Sequence, residues 1–153
     1  MLYFAYGSNL NHEQMKRRCS GAKYIKKHTL KSYKLCFSHK TKSSIYGHAN
    51  IIKNKKSKVL GALWNINKKD EKELDWYEGV DYNYYKKNYF TLKGKKVLVY
   101  VQKIYYLQKP NSTYLHTIIQ GYKDCSLDMK KLKKTISNYK INYIINWETI
   151  AKR

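Results

Sequence analysis

The apolar positions near the N-terminus form a short run that ends abruptly at turn-forming residues. Residues 2–6 (LYFAY) are all apolar or aromatic, and Gly-Ser-Asn follows at residues 7–9. A run of this length that stops at turn formers predicts a buried strand. The polar stretch at residues 11–18 predicts the first turns of a helix, with Asn9 or Asn11 as its N-cap.

Apolar and aromatic positions predict further strands over the first two thirds of the chain. The predicted strands cover residues 22–39 (one long strand or two short ones), 48–52, 58–66, 84–92 and 96–103. Gly61 lies inside one of them and indicates either a bulge or the close approach of another backbone. The last two strands are predicted to form a hairpin with its turn at residues 93–95.

Helical spacing of apolar residues predicts three more helices. The first follows Asn67, a good N-cap, and has acidic residues in its first turn. In the last third, Ser112 is predicted to cap a helix ending at Gly121 or just beyond, and Ser126 to open another. Residues 140–153 give no clear pattern. Five or six strands and a few helices without a repeating βαβ order predict an α+β domain with a mostly antiparallel, barrel-like sheet and flanking helices.

The chain length and the charge limit the classes of protein to consider. The 153 residues predict a single domain over 1–153, and the formal net charge is +22. Almost all of this positive charge comes from lysines spread through every segment, whereas proteins that read base edges favour the arginine fork. We therefore interpret the charge as a biased composition on a solvated surface and expect no specific nucleic-acid partner. A basic nucleic-acid-binding domain stays open as an alternative, which steeply salt-dependent affinity for oligonucleotides would favour.

Cysteine and histidine positions give no sign of a metal site or of disulfides. Cys19, Cys36 and Cys125 are odd in number and widely spaced, and no histidine has the spacing of a metal-ligand motif. We therefore predict no metal site. No apolar run reaches membrane-spanning length and no signal-peptide pattern is present, so we expect a cytoplasmic protein that does not associate with membranes.

Two short segments carry candidate chemistry. A strand that turns through Gly7 into a helix leaves unpaired backbone N–H groups, which bind anions or an oxygen that becomes negative during a reaction. Gly79 sits where a helix C-terminal glycine belongs, which places Glu78 in the last helical turn. There the helix dipole disfavours the carboxylate form, and nearby aromatic rings would raise the pKa toward that of a general acid or base. The alternatives are an ordinary turn at Gly7 and an ordinary surface glutamate at Glu78.

These two segments together resemble the gamma-glutamylcyclotransferase-like family. Residues 6–10 (YGSNL) followed by residues 74–80 (LDWYEGV) fit that family in order and in spacing. Residues 47–51 and 59–64 are similar to its central strands. The resemblance covers about residues 2–137 and leaves 138–153 as a C-terminal extension.

The resemblance implies a fold, a reaction and a set of site residues. The implied fold is a small closed or partly open β-barrel with a pocket at one mouth. The implied reaction is attack of a γ-glutamyl α-amine on its own γ-carbonyl carbon, which releases 5-oxoproline and an amino acid or amine without a cofactor. Glu78 matches the catalytic acid/base of the family. The implied substrate-binding residues are Tyr6, Gly7, Ser8, Asn9, Leu10, Tyr85 (or its neighbour Tyr84) and Tyr100.

Residues 81–83 (DYN) depart from the family pattern, which usually has smaller or less polar residues there. The resemblance therefore implies a small-molecule γ-glutamyl substrate but does not identify its leaving group. We expect a monomer or a homodimer. A catalytically silent binding or scaffold protein of the same fold is the main alternative, and a pocket without access to Glu78 would favour it. The enzyme interpretation requires Glu78 to lie across a small hollow from the turn that follows Tyr6.

Overall fold

The computed structural model describes residues 1–148, so the last part of the patternless segment 140–153 lies outside the described residues. The strands are β1 (Leu2–Ala5), β2 (Lys23–His39), β3 (His48–Asn65), β4 (Lys86–Leu92), β5 (Lys95–Val101) and β6 (Tyr106–Leu107). The helices are α1 (His12–Arg18), α2 (Lys68–Tyr77), α3 (Ser112–Asp124) and α4 (Met129–Ile136), with single 3₁₀ turns at Ser8–Leu10 and Val80–Tyr82.

All six strands belong to one sheet in the order β4-β5-β1-β3-β2-β6. The pairing of β1 with β5 is parallel, and the other neighbouring strands are antiparallel. The sheet curls into a half-barrel in which β4 and β6 are the two edges. The predicted α+β fold with a mostly antiparallel, barrel-like sheet is therefore confirmed, in its partly open form.

The prediction of two separate strands at residues 48–52 and 58–66 is wrong, because β3 runs through both without a break. Both sides of this polar stretch pair with the long strand β2: Lys58 faces Lys31 and Lys53 faces Tyr33. A register shift lies between these two pairs, so the strand continues through an irregularity instead of ending there. Gly61 marks a close approach rather than a bulge, since a Cβ there would lie 2.4 Å from the carbonyl oxygen of Ala5 in β1.

Some predicted element boundaries also shift. Asn111, not Ser112, caps α3 by accepting a hydrogen bond from the backbone N–H of Tyr114. The last helix begins at Met129 after the cap Asp128, rather than at Ser126. The predicted strand at residues 84–92 begins only at Lys86, the strand at 96–103 ends at Val101, and β6 has no counterpart among the predicted strands.

The interior of the half-barrel holds one cluster of buried apolar residues, which α3 and α4 help to form. Fully buried side chains include Phe4, Phe37, Val59, Leu98, Leu115, Ile118, Ile119, Tyr122 and Leu132. No helix among residues 1–148 is both long and apolar enough to cross a membrane.

Residues 137–148, which follow α4, pack on the same core although they contain no helix or strand. Alternate residues contact the core, namely Tyr139, Ile141, Tyr143, Ile145 and Trp147. The hydroxyl of Tyr139 accepts a hydrogen bond from the N–H of Phe37 (2.7 Å) and lies 3.0 Å from its carbonyl oxygen. The segment therefore extends the domain surface instead of standing free of it.

Candidate active site

A cavity of about 310 Å³ lies where the turn after β1 meets the C-terminal end of α2. The beginnings of β3 and α3 and the C-terminal end of β5 also contribute to its wall. Its lining residues are Tyr3, Phe4, Tyr6, Gly7, Ser8, Asn9, Arg18, His48, Ala49, Tyr77, Glu78, Tyr84, Tyr85, Tyr100 and Tyr114. The hollow required between Glu78 and the turn after Tyr6 is therefore present.

The turn after β1 lines this cavity with Gly7, Ser8 and Asn9. Gly7 precedes a single 3₁₀ turn that is closed by a hydrogen bond from the N–H of Leu10 to the carbonyl oxygen of Gly7 (3.1 Å). Ser8 and Asn9 are the first residues of that turn, so their backbone N–H groups have no acceptor inside it. Leu10 itself is fully buried in the core and is not among the lining residues.

The side chain of Asn9 connects this turn to Glu78. Asn9 is buried, and its Nδ2 donates hydrogen bonds to Oε1 of Glu78 (3.3 Å) and to the hydroxyl of Tyr3 (3.0 Å). Its Oδ1 accepts hydrogen bonds from Nε2 of Gln14 (3.1 Å) and Nη1 of Arg18 (3.2 Å). Because Gln14 and Arg18 are one turn apart on α1 and both donate, they fix the amide with its NH₂ group toward Glu78.

Glu78 is held at the end of α2 by a left-handed residue. The last helical residue is Tyr77, so Glu78 is the C-cap, and its N–H donates to the carbonyl oxygen of Leu74 (2.8 Å). Gly79 follows at φ +63°, the conformation that ends helices and favours glycine. Asn67 caps the opposite end of α2, in a reciprocal capping box with Asp70.

Burial raises the pKa of Glu78 to about 7, while the positive charge of Arg18 acts in the opposite direction. Withdrawal from water is the larger effect because it penalises the charged carboxylate. The side chain can therefore both accept and donate a proton near neutral pH, as a general acid/base must. The residue that sequence reasoning singled out lies in the predicted hollow with the predicted direction of shift.

Three tyrosines expected at the site line the cavity with their rings while their hydroxyl groups bind other parts of the protein. The hydroxyl of Tyr6 donates to the carbonyl oxygen of Tyr100 (2.5 Å), and that of Tyr85 donates to the carbonyl oxygen of Ala49 (2.5 Å). The hydroxyl of Tyr100 donates to Oδ1 of Asp75 (2.7 Å). These side chains shape the wall, and their hydrogen bonds keep the rings in place.

Sequence reasoning missed other lining residues because they come from distant parts of the chain. His48 is one of them, and its Nδ1 lies 2.6 Å from the hydroxyl of Tyr84. Tyr84, the alternative to Tyr85 in the sequence, lines the cavity together with Tyr85. The hydroxyl of Tyr114 accepts a hydrogen bond from the N–H of Ala49 (2.9 Å). Burial lowers the pKa of His48 to about 4, so its ring is neutral at physiological pH. In the sequence these residues resemble ordinary strand and helix packing positions.

The cavity wall thus combines one carboxyl group, one guanidinium group and many aromatic rings. Among residues 1–148, no three His, Cys, Asp or Glu side chains are grouped as metal ligands would be. The arrangement suits a small polar molecule that carries charges of both signs and has an acyl group to bring beside the N–H groups of the turn.

Comparison with known proteins points to one family. A sequence model described as gamma-glutamyl cyclotransferase, AIG2-like, matches residues 3–122. A Bos taurus protein named gamma-glutamylcyclotransferase is 32% identical over 142 residues, which cover 87% of this chain and 76% of that protein. A Homo sapiens protein of the same name is 31% identical over 142 residues, with the same shares covered. A solved structure named gamma-glutamyl cyclotransferase superposes with a TM-score of 0.79 and 28% identity, covering 95% of this chain and 93% of that one.

Proposed function

The chain belongs to the gamma-glutamyl cyclotransferase, AIG2-like family, and we propose that it is an enzyme that cyclises γ-glutamyl compounds to 5-oxoproline. In this reaction the α-amine of the glutamyl group attacks its own γ-carbonyl carbon. The new C–N bond closes a five-membered lactam, and the original amide C–N bond breaks to release an amino acid or an amine. The proposed reaction uses only protein groups.

The observation that carries this proposal is that the turn and Glu78 line the same cavity and are joined by a direct hydrogen bond from Asn9 to Glu78. An α-ammonium group has a pKa near 8 and must lose a proton before it can attack a carbonyl carbon. The carboxylate of Glu78, with a pKa of about 7, is well matched to accept that proton. The same group then donates a proton to the departing amine nitrogen as the tetrahedral intermediate collapses.

The oxygen of that intermediate needs donors that are already in place. We assign this role to the backbone N–H groups of Ser8 and Asn9, which have no acceptor inside their own 3₁₀ turn. A preorganised donor of this kind is worth about 3 kcal/mol in acyl transfer. Gly7 allows the close packing of the turn, because a Cβ there would lie 2.9 Å from the Cβ of Ala49.

Orientation supplies a further part of the proposed rate acceleration. The glutamyl chain must fold so that its nitrogen and its γ-carbon nearly touch, and correct orientation of this kind can be worth about 7–11 kcal/mol. The rings of Tyr6, Tyr85 and Tyr100 are fixed by hydrogen bonds, so they form a rigid wall against which the chain can fold.

The proposal is tested by measuring 5-oxoproline release by chromatography from a panel of γ-glutamyl dipeptides and γ-glutamyl amines. We expect the wild-type protein to turn over at least one of them and the Glu78→Gln variant to remain folded but lose turnover. Glu73→Gln is the matched control because Glu73 is an exposed glutamate on the same helix.

Two outcomes would contradict this proposal in different ways. Wild-type rates in Glu78→Gln would exclude Glu78 as the proton acceptor. No product from any compound with the wild-type protein would favour the alternative of a silent binding or scaffold protein.

We also propose that the protein acts in the cytoplasm, as a monomer or a homodimer, without a specific nucleic-acid partner. Cys19, Cys36 and Cys125 are free and buried, which suits a reducing compartment. Sedimentation at several protein concentrations measures the oligomeric state.

A further inference from the structure

We propose that Arg18 binds a carboxylate group of the substrate, an inference that rests on the proposed function and assigns the substrate class of the same site. Arg18 is the last residue of α1, is partly buried and lines the cavity with Glu78. Its neighbour Arg17 points elsewhere and forms an ion pair with Glu13 (3.6 Å). The two adjacent arginines therefore have different roles.

The guanidinium group of Arg18 is held in place but is only partly used. Its Cζ lies 4.2 Å from the ring centroid of Tyr77, and its Nη1 donates to Oδ1 of Asn9 (3.2 Å). Within residues 1–148, no carboxylate lies within 4.0 Å of it. Since a guanidinium group has five N–H donors, most of them remain for a ligand.

A carboxylate is the ligand that best fits this group. The planar fork of arginine matches the two oxygens of a carboxylate, and partial burial strengthens such a pair. Arg18 is the only cationic side chain on the described cavity wall, because His48 is neutral there. The charged form of Glu78, which lines the same cavity, repels carboxylates, so a substrate carboxylate is directed toward Arg18.

Two carboxylates of a γ-glutamyl dipeptide could occupy this position: the α-carboxylate of the glutamyl group and the carboxylate of the leaving amino acid. γ-Glutamyl-alanine and γ-glutamyl-ethylamine distinguish them, because the second compound lacks only the leaving-group carboxylate. An effect of an Arg18 substitution on both compounds would identify the glutamyl carboxylate. An effect on γ-glutamyl-alanine alone would identify the leaving-group carboxylate.

The test variant is Arg18→Lys, which keeps a positive charge beside Glu78 but loses the planar fork. We expect KM for γ-glutamyl-alanine to rise about tenfold or more, with kcat changed by less than about threefold. Arg17→Lys is the matched control and should leave both constants unchanged, since Arg17 is exposed and does not line the cavity.

A purely structural role for Arg18 gives a different result. If Arg18 only orients Asn9, Arg18→Lys lowers kcat and leaves KM unchanged, and this outcome would overturn the proposal. Unchanged KM and kcat with both compounds would overturn it as well. An unchanged midpoint of the pH profile in Arg18→Lys is expected, because the charge near Glu78 is retained.

Binding without turnover separates this inference from the proposed function. Calorimetry of γ-glutamyl-alanine with Glu78→Gln, with and without Arg18→Lys, measures the carboxylate contact directly. We expect the dissociation constant to rise by about tenfold or more in the double variant. Absence of turnover in the wild-type protein would refute the enzymatic proposal, whereas equal binding by both variants would refute the role of Arg18.

Discussion

At the scale of single residues, the raised pKa that suits Glu78 to its proposed role also lowers the stability of the folded protein at neutral pH. Burial raises its pKa from an ordinary value of 4.5 to about 7, so the folded protein retains a proton that the unfolded chain releases. Between these two values the folded state binds more protons than the unfolded state. Stability therefore falls as pH rises through this window, and the loss is complete above about pH 7.

Replacing Glu78 by glutamine should remove this loss. Because glutamine does not titrate, we expect Glu78→Gln and wild type to have similar free energies of unfolding at pH 4. At pH 8 the variant should be more stable by about 1–3 kcal/mol. Urea unfolding at the two pH values measures the difference. A stability difference of the same size at both pH values would show that Glu78 has no raised pKa.

The pH dependence of catalysis gives a second prediction at this scale. If the carboxylate of Glu78 is the base, kcat should rise with pH around 7. Removing the nearby positive charge in Arg18→Met should move this midpoint to higher pH, since Arg18 favours the charged carboxylate. Arg18→Lys serves as the control that retains the charge. Equal midpoints in Arg18→Met and Arg18→Lys would argue against Glu78 as the titrating base.

At the scale of elements, α2 works as a rigid support for Glu78. Lys87 of β4 forms ion pairs with Glu71 (2.5 Å) and Asp75 (3.0 Å), and the hydroxyl of Tyr100 in β5 donates to Asp75. These contacts tie α2 to the sheet at two positions one turn apart. The backbone then leaves the helix at Gly79, so the position of Glu78 depends on that glycine.

Two glycines with similar backbone conformations allow this dependence to be tested. Gly79 (φ +63°) and Gly94 (φ +78°) should each cost about 1–2 kcal/mol of stability when replaced by alanine, because a Cβ is strained in the left-handed region. A Cβ at Gly79 would also lie 3.1 Å from the Cβ of Tyr84, whereas nothing lies within 4 Å of one at Gly94.

We therefore expect Gly79→Ala to lower kcat/KM at least about tenfold in addition to its effect on stability. Gly94→Ala, in the β4–β5 turn, should lower stability while leaving kcat/KM unchanged. Urea unfolding and steady-state kinetics on both variants measure the two effects separately. Equal kinetics in the two variants would show that the end of α2 does not need to be placed accurately.

At the scale of the whole molecule, the sequence predicts local structure better than it predicts contacts between distant segments. The buried strand β1, the cap Asn67 and the turn at Gly94 follow from short segments, and the structure confirms each. Of the two cap candidates for α1, Asn9 and Asn11, the structure selects Asn11. The single strand β3 could not be predicted, because its polar middle has no strand pattern and only the pairing of both flanking parts with β2 joins them into one strand.

The residues of the candidate site also fall into those that local sequence predicts and those that it does not. The turn at residues 7–9 and Glu78 stand out in the sequence because each lies at a glycine that marks a change of backbone direction. Gly7 marks the end of a strand, and Gly79 marks the end of a helix. Arg18, His48 and Tyr114 have no local signal, since only the folding of three distant elements brings them to one wall. Resemblance to a family supplied the pairing of the two motifs, which single-segment patterns do not provide.

The net charge of +22 makes a prediction about the molecule as a whole. In the middle of the long β2–β3 pair, the exposed residues Lys31 and Lys58 lie directly opposite each other. Like charges at such positions repel by a few tenths of a kcal/mol up to about 1 kcal/mol. Self-repulsion of the whole surface adds to this, so we expect wild-type stability to rise with NaCl as the charges are screened.

Lys58→Glu turns this cross-strand repulsion into attraction, and Lys58→Gln removes the repulsion without adding attraction. At about 20 mM salt we expect stability to increase from wild type to Lys58→Gln to Lys58→Glu, by about 0.5–1 kcal/mol in total. At about 0.5 M salt the differences should shrink, because screening weakens interactions between exposed charges. Differences independent of salt would instead reflect strand propensity. Since neither lysine lines the cavity, kcat should be the same in all three proteins, which separates the surface charge from the chemistry of the site.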